Sequence, residues 1–243
     1  MICSPVSVMI PLGKLAMGAG RRTEKELFKA LHLSSREQLN PTFKELITSL
    51  EYLPGVTLAM ANRIYVSTRN SINETYASST KLVFQSSVQK ISAKNPQKTA
   101  HTINEWVAEQ TRNKITQLIS PWDITEATSL ILVNAIYFAG QWLNKFDKTF
   151  TDDFFSPVGR HKIPMMSRQG RYNYWKSDTL NAEVIEIPYE GAQSTMIVVL
   201  PYSNTGLGVL LRALKVAPDL LNNALMKMRL TNIILTMPKF KIE

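Results

Sequence analysis

Few residues of this 243-residue chain are equipped for chemistry. The histidines, His32, His101 and His161, lie far apart, with no spacing that suggests a shared metal ligand set. Cys3 is the only cysteine, so it forms no internal disulfide, and no neighbouring histidine or basic residue marks it as a thiolate nucleophile. Asp152 and Asp153 could form a carboxylate pair for acid–base work, but adjacent residues in an extended segment point to opposite faces. The chain contains no GxSxG, HExxH, P-loop or GxGxxG signature. No catalytic residue, metal or cofactor is expected, and the chain does not read as an enzyme.

Three other features carry physical content. The first is Asn134, the one polar residue inside the run Leu130 to Phe138. A buried amide must find hydrogen-bond partners or cost about 1–3 kcal/mol. Asn134 therefore reads either as an ordinary bonded core residue or as part of a polar cluster in a sheet that opens. The second is the sequon Asn73-Glu74-Thr75, where Asn73 is either a helix cap or a glycan acceptor. Passage through a secretory pathway decides between them. The third is the stretch Arg160, His161, Lys162, Arg168, Arg171 and Lys176, interleaved with Tyr172, Tyr174 and Trp175. Aromatics stack bases and cations hold phosphates. Strands with aromatics inward and cations outward explain the same pattern, and without a nucleic-acid motif that explanation is preferred.

The elements that must position these residues follow from local signals. The run from Leu130 lacks strict alternation and ends at Gly140, which predicts a strand covered on both faces. Ser4-Pro5 predicts a helix start, with Val8, Met9, Leu12, Leu15 and Ala16 inward and a kink or late start at Pro11. Thr23 to Glu26 and Thr102 to Glu105 read as capping boxes that open helices. Pro41 to Leu53 reads as a helix, Val56 to Val66 as a strand, and Asn73 to Phe84 as a helix. Ser87 to Ile91 reads as a short strand. From Arg160 short strands alternate with basic turns. Glu183–Ile187 and Thr195–Leu200 predict a hairpin across Glu190-Gly191. Helices are expected over Leu207–Leu214 and Asp219–Lys227. A last strand over Ile233–Ile242 carries Pro238, which suggests an edge. Helices come first and β-structure later, an α+β order.

The composition agrees with a folded chain, 44% hydrophobic and 19% charged. A net charge of +9 favours polyanionic partners through the basic turns. No apolar run approaches the roughly 18 residues that span a bilayer. Met1 to Ala19 reads poorly as a signal peptide, because no basic residue precedes its apolar part and Lys14 interrupts it.

In order, these elements resemble the serpin superfamily of serine protease inhibitors. Ser4-Pro5-Val6-Ser7 is similar to the opening of the family's helix B, and Met17 to Gly20 with Thr23-Glu24 to its junction with helix C. Thr102 to Val107, continuing to Asn113-Lys114-Ile115, resembles helix F. Leu132-Val133-Asn134-Ala135-Ile136-Tyr137-Phe138-Ala139-Gly140-Gln141-Trp142, followed by Phe146, resembles the third strand of sheet A. Pro164-Met165-Met166, Ile187-Pro188-Tyr189, Val199-Leu200-Pro201 and Pro238-Lys239-Phe240 follow in the family's order.

The resemblance implies one serpin domain over residues 1–243, mainly helical to residue 128 and β-rich from residue 129, with a large mixed sheet A and smaller sheets B and C. It implies a serine protease as partner, a secreted location with a cytoplasmic one left open, and inhibition by insertion of a reactive loop into sheet A. Ser4, Ser7 and Asn134 match the shutter that controls sheet opening, and Trp142 matches the breach where insertion begins. Pro238-Lys239-Phe240 looks like strand six of sheet A. The family's first helix, strand five of sheet A and the reactive loop are not matched, so a chain incomplete at both ends is expected, with no reactive bond in it. The alternative is a loop-less, non-inhibitory relative that binds polyanions or a protein partner.

Overall fold

Ser4 and Pro5 open the first helix as their side chains require. The structure is a computed structural model and describes residues 4–156 and 159–240. The readings at Cys3 and at the end of the last strand lie outside those residues. Helix α1 runs Pro5–Gly18, with the Ser4 hydroxyl accepting from the Ser7 N–H at 3.3 Å. It continues through Pro11 without the expected late start. Its buried side is Ile10, Gly13, Lys14 and Ala16, whereas Val8, expected inward, is exposed. A helix apolar on several sides does not declare its inner face. Gly13 decides it here, since a Cβ at that position would lie 2.4 Å from the Phe43 ring.

The helix starts read at Thr23, Pro41 and Thr102 fall earlier in the chain, whereas that at Asn73 stands as read. Helix α2 (Arg21–Ala30) begins at Gly20, so Thr23 lies inside it. Helix α3 (Arg36–Glu51) begins at Arg36 and carries Pro41 internally. Helix α4 (Glu74–Phe84) is capped by Asn73. Helix α5 (Pro96–Gln110) opens at Asn95, whose side chain accepts from the Lys98 N–H at 3.1 Å, and Thr102 falls inside it. Asn-Pro combines a capping side chain with a residue that needs no donor, which outweighs the later Thr-x-x-Glu spacing.

Strands β1 (Val56–Ser67), β2 (Val88–Ile91) and β3 (Leu130–Gly140) form a three-stranded sheet in the order β2-β1-β3, with β1 and β2 parallel. Side chains alternate along each strand. Ala61, Tyr65, Val133 and Ala135 pack with Ile103 and Val107 of α5. Met60, of opposite parity, packs against a cluster of Ile10, Phe43 and Phe84 from α1, α3 and α4. Helices thus cover both faces. Strand β3 is less covered than its composition predicts: Leu130 and Phe138 are each 43% exposed, while Val133 and Ala135 are buried. It stands last in the strand order, so among the described residues it has no neighbour on that side in the sheet. Residues 1–53 and 57–139 make up this first unit.

A second unit comprises residues 54–56 and 140–243. Its sheet contains β4 (Lys148–Ser156), β5 (Gly159–Ser177), β6 (Ala182–Pro188), β7 (Thr195–Pro201) and β8 (Arg229–Pro238). Strand β5 is one strand of 19 residues, antiparallel to β4, β6 and β8, so the cations from Arg160 to Lys176 sit on a strand and not on turns. The expected hairpin is β6–β7. Helices α6 (Leu207–Val216) and α7 (Asp219–Lys227) pack Leu210 and Ala224 against Ala182 and Val184. Among the described residues the last strand pairs on one side only, the edge position that Pro238 suggests. Strand β8 ends at Pro238 and pairs with β5, from Met165 opposite Pro238 to Tyr174 opposite Arg229. At a strand end the missing proline N–H interrupts no ladder.

Two turns in this unit meet face to face. Gly55 has φ +74° and Gly191 φ +85°. A Cβ on Gly55 would lie 1.9 Å from the Glu190 carbonyl oxygen, and one on Gly191 would lie 2.3 Å from that of Pro54. Only glycine supplies both the left-handed backbone and the missing atom.

Candidate functional site at the β3–α1 junction

Alternation along β3 turns Asn134 away from α5 and toward α1. Its Nδ2 donates to the backbone carbonyl of Ser7 at 3.2 Å. Its Oδ1 is buried and has no hydrogen-bond partner among the described residues. An unmet buried acceptor of this kind costs about 1–3 kcal/mol. Ser4, Ser7 and Asn134 are therefore brought together, but largely through the backbone of Ser7. Its N–H caps onto the Ser4 hydroxyl, and its carbonyl receives Asn134. Sequence reasoning looked to side chains here and missed the carbonyl. The signal that could have found it is Pro11, four residues on, which cannot donate to that carbonyl.

Sequence reasoning also passed over Lys14, noticed only as an interruption of an apolar run. Its side chain is 1% exposed. The Nζ donates to Asn62 Oδ1 on β1 and, at 2.7 Å, to Ser86 Oγ after α4. Asn62 in turn donates to the Phe84 carbonyl at 3.0 Å, and the Tyr76 hydroxyl donates to the Lys14 carbonyl at 3.1 Å. Burial pulls the Lys14 ammonium down from 10.5 to about 7. Desolvation disfavours the charged form.

Trp142 belongs to the second unit. It stacks on Tyr189 with ring centroids 4.7 Å apart and planes 9° apart, and meets Phe146 edge-on at 6.1 Å. The backbone beside it is fixed by Glu190 N–H to Gln141 O at 2.8 Å and Leu143 N–H to Pro188 O at 3.0 Å. Asn73 is exposed and its Oδ1 accepts from the Tyr76 N–H at 3.2 Å. That cap employs the oxygen; a glycan would bond to the nitrogen.

The basic strand is partly neutralised. Asp153 pairs with Arg160 and, at 3.6 Å, with Lys162, and Lys176 lies 3.6 Å from Glu183. The hydrogen bond from Arg160, with the charges of Arg160 and Lys162, holds the Asp153 carboxyl below its usual range. Asp152 and Asp153 do not act as a pair: Asp153 turns to these cations, and Asp152 Oδ1 accepts from the Asp153 N–H at 2.8 Å.

Comparison with known proteins agrees with this architecture. The family model described as "Serpin (serine protease inhibitor)" matches residues 1–243. Antichymotrypsin-2 of Bombyx mori is 40% identical over 245 residues, which covers 100% of this chain and 65% of that protein. Antitrypsin of Bombyx mori is 40% identical, covering 100% of this chain and 62% of its own length. The crystal structure of Serpin48, described as a highly specific serpin in the insect Tenebrio molitor, superposes with a TM-score of 0.89 at 28% identity, over 99% of this chain and 65% of that one. The chain thus spans less than two thirds of these proteins. Its α+β fold is serpin-like, with helices on a mixed sheet and a separate antiparallel sheet. With every residue inside the family match, the chain belongs to the serpin family.

Proposed function

We propose that this chain is the body of a serine protease inhibitor that acts by taking a cleaved reactive loop into its mixed sheet beside β3. The observation that carries the reading is the place of Asn134. It sits on the last strand in the order β2-β1-β3, bonded to α1 by its amide nitrogen while its amide oxygen is buried and unmatched among the described residues. Such a side chain has an acceptor ready for a donor on an incoming segment. Ser4, Ser7 and Asn134 then form the shutter, and Trp142, held by Tyr189 and Phe146, marks the breach. Stored conformational energy, not a catalytic group, would drive inhibition.

The target would be a chymotrypsin- or trypsin-like protease, in keeping with the names of the Bombyx mori relatives. A secreted location is proposed with it, and then Asn73 is available for glycosylation. Polyanion binding is the weaker reading, because Asp153 and Glu183 already pair with three cations of the basic strand. The test is to incubate the whole gene product with trypsin and with chymotrypsin. An adduct that survives boiling in detergent, together with a raised melting temperature of the cleaved inhibitor, supports the proposal. Cleavage that yields neither overturns it.

A further inference from the structure

We propose that Pro11 creates the acceptor that holds Asn134, so that a proline inside α1 sets how firmly β3 is latched to that helix. In an α-helix the Ser7 carbonyl takes its hydrogen bond from the N–H four residues later. Residue 11 is proline, which has no N–H, and its ring crowds the carbonyl four residues back. Helix α1 nevertheless runs unbroken from Pro5 to Gly18. The Ser7 carbonyl is therefore left without its helical donor inside a packed region, where an unpaired backbone group is costly. Asn134 Nδ2 fills that place at 3.2 Å from a strand 127 residues away in sequence.

The arrangement is a trade between local and tertiary bonding. An alanine at position 11 would return an N–H to the Ser7 carbonyl and draw it back along the helix axis. The helix would gain a bond and the helix–strand link would lose its alignment. The latch stands on this geometry alone. Its use as a brake on the parting of strands rests on the inhibitory reading.

The test is a double-mutant cycle on the full chain with Pro11→Ala and Asn134→Ala. The two substitutions should couple. Asn134→Ala should change the unfolding equilibrium about five-fold less in the Pro11→Ala background, the effect of one neutral hydrogen bond. The Asn134 side-chain amide should also exchange with solvent about five-fold faster in Pro11→Ala alone, which needs no folded Asn134→Ala protein. Identical effects of Asn134→Ala in both backgrounds, or unchanged amide exchange, overturn the latch. A proline that merely shaped the helix would leave both readouts unmoved. If coupling persists while no protease adduct forms, the inhibitory reading fails and the latch survives.

Discussion

Replacing Lys14 with Met tests the physical account of the α1 interface most directly. The two side chains are similar in length, so packing against Asn62 and Ser86 changes little while the ionisable amine disappears. With the folded-state value near 7 and the ordinary value at 10.5, keeping this ammonium charged inside the fold costs about 5 kcal/mol. The sign follows from proton counting. Above about pH 7 the folded protein releases the Lys14 proton, while the unfolded chain keeps it up to its ordinary value. In that window the unfolded state binds one more proton, so stability rises with pH by about 1.4 kcal/mol per unit. Below pH 7 both states are charged, the full cost is present and the slope vanishes. A neutral amine keeps two N–H groups, so the bonds to Asn62 and Ser86 survive deprotonation. Methionine removes the charge but leaves those two acceptors unmatched, at about 1–3 kcal/mol each.

Lys14→Met should therefore be near neutral or stabilising at pH 6 and should lose ground steadily above pH 7. Urea unfolding of both proteins at pH 6, 7, 8 and 9 measures it. Taking the difference cancels every other titrating group. Wild type should gain about 2.3 kcal/mol on the variant between pH 7 and 9, since the folded-state amine is already half neutral at pH 7. A difference that stays constant over that range would refute the assignment of Lys14 as a buried, charge-strained amine.

Three further outcomes are expected. Thr75→Ala should abolish any mass shift released by endoglycosidase from secreted protein and leave stability unchanged, whereas Asn73→Ala should also destabilise unglycosylated protein by about 1 kcal/mol through loss of the α4 cap. Gly191→Ala should lower the melting temperature sharply, because the new Cβ meets the Pro54 carbonyl at 2.3 Å in a backbone conformation that alanine adopts at a cost of about 1 kcal/mol before any clash; a melt within a degree of wild type would contradict the turn-on-turn contact. Trp142→Phe should keep most of the stack on Tyr189, whereas Trp142→Ala should cost about 1 kcal/mol more than the buried area alone predicts, read by urea denaturation.

Much of the order of helices and strands was legible, because caps, turn residues and periodicity are local, but strand β4 was not. Ser4-Pro5, Asn73, the β6–β7 hairpin and helix α7 all stand where their side chains place them. Asn134 was legible as the one polar interruption of an apolar strand, and its neighbours Ser4 and Ser7 through the family resemblance. Tertiary contacts decided the rest. Gly13 against Phe43, not the spacing of large apolar residues, chose the buried side of α1. Pairing with β4, β6 and β8 drew Arg160–Lys176 into one long strand, which local turn preference cannot foresee. Lys14 buried against Asn62 and Ser86, and a serine carbonyl freed by Pro11, arise only when distant segments meet. A sequence specifies the donors and acceptors it carries; which of them must satisfy one another depends on what packing removes from water.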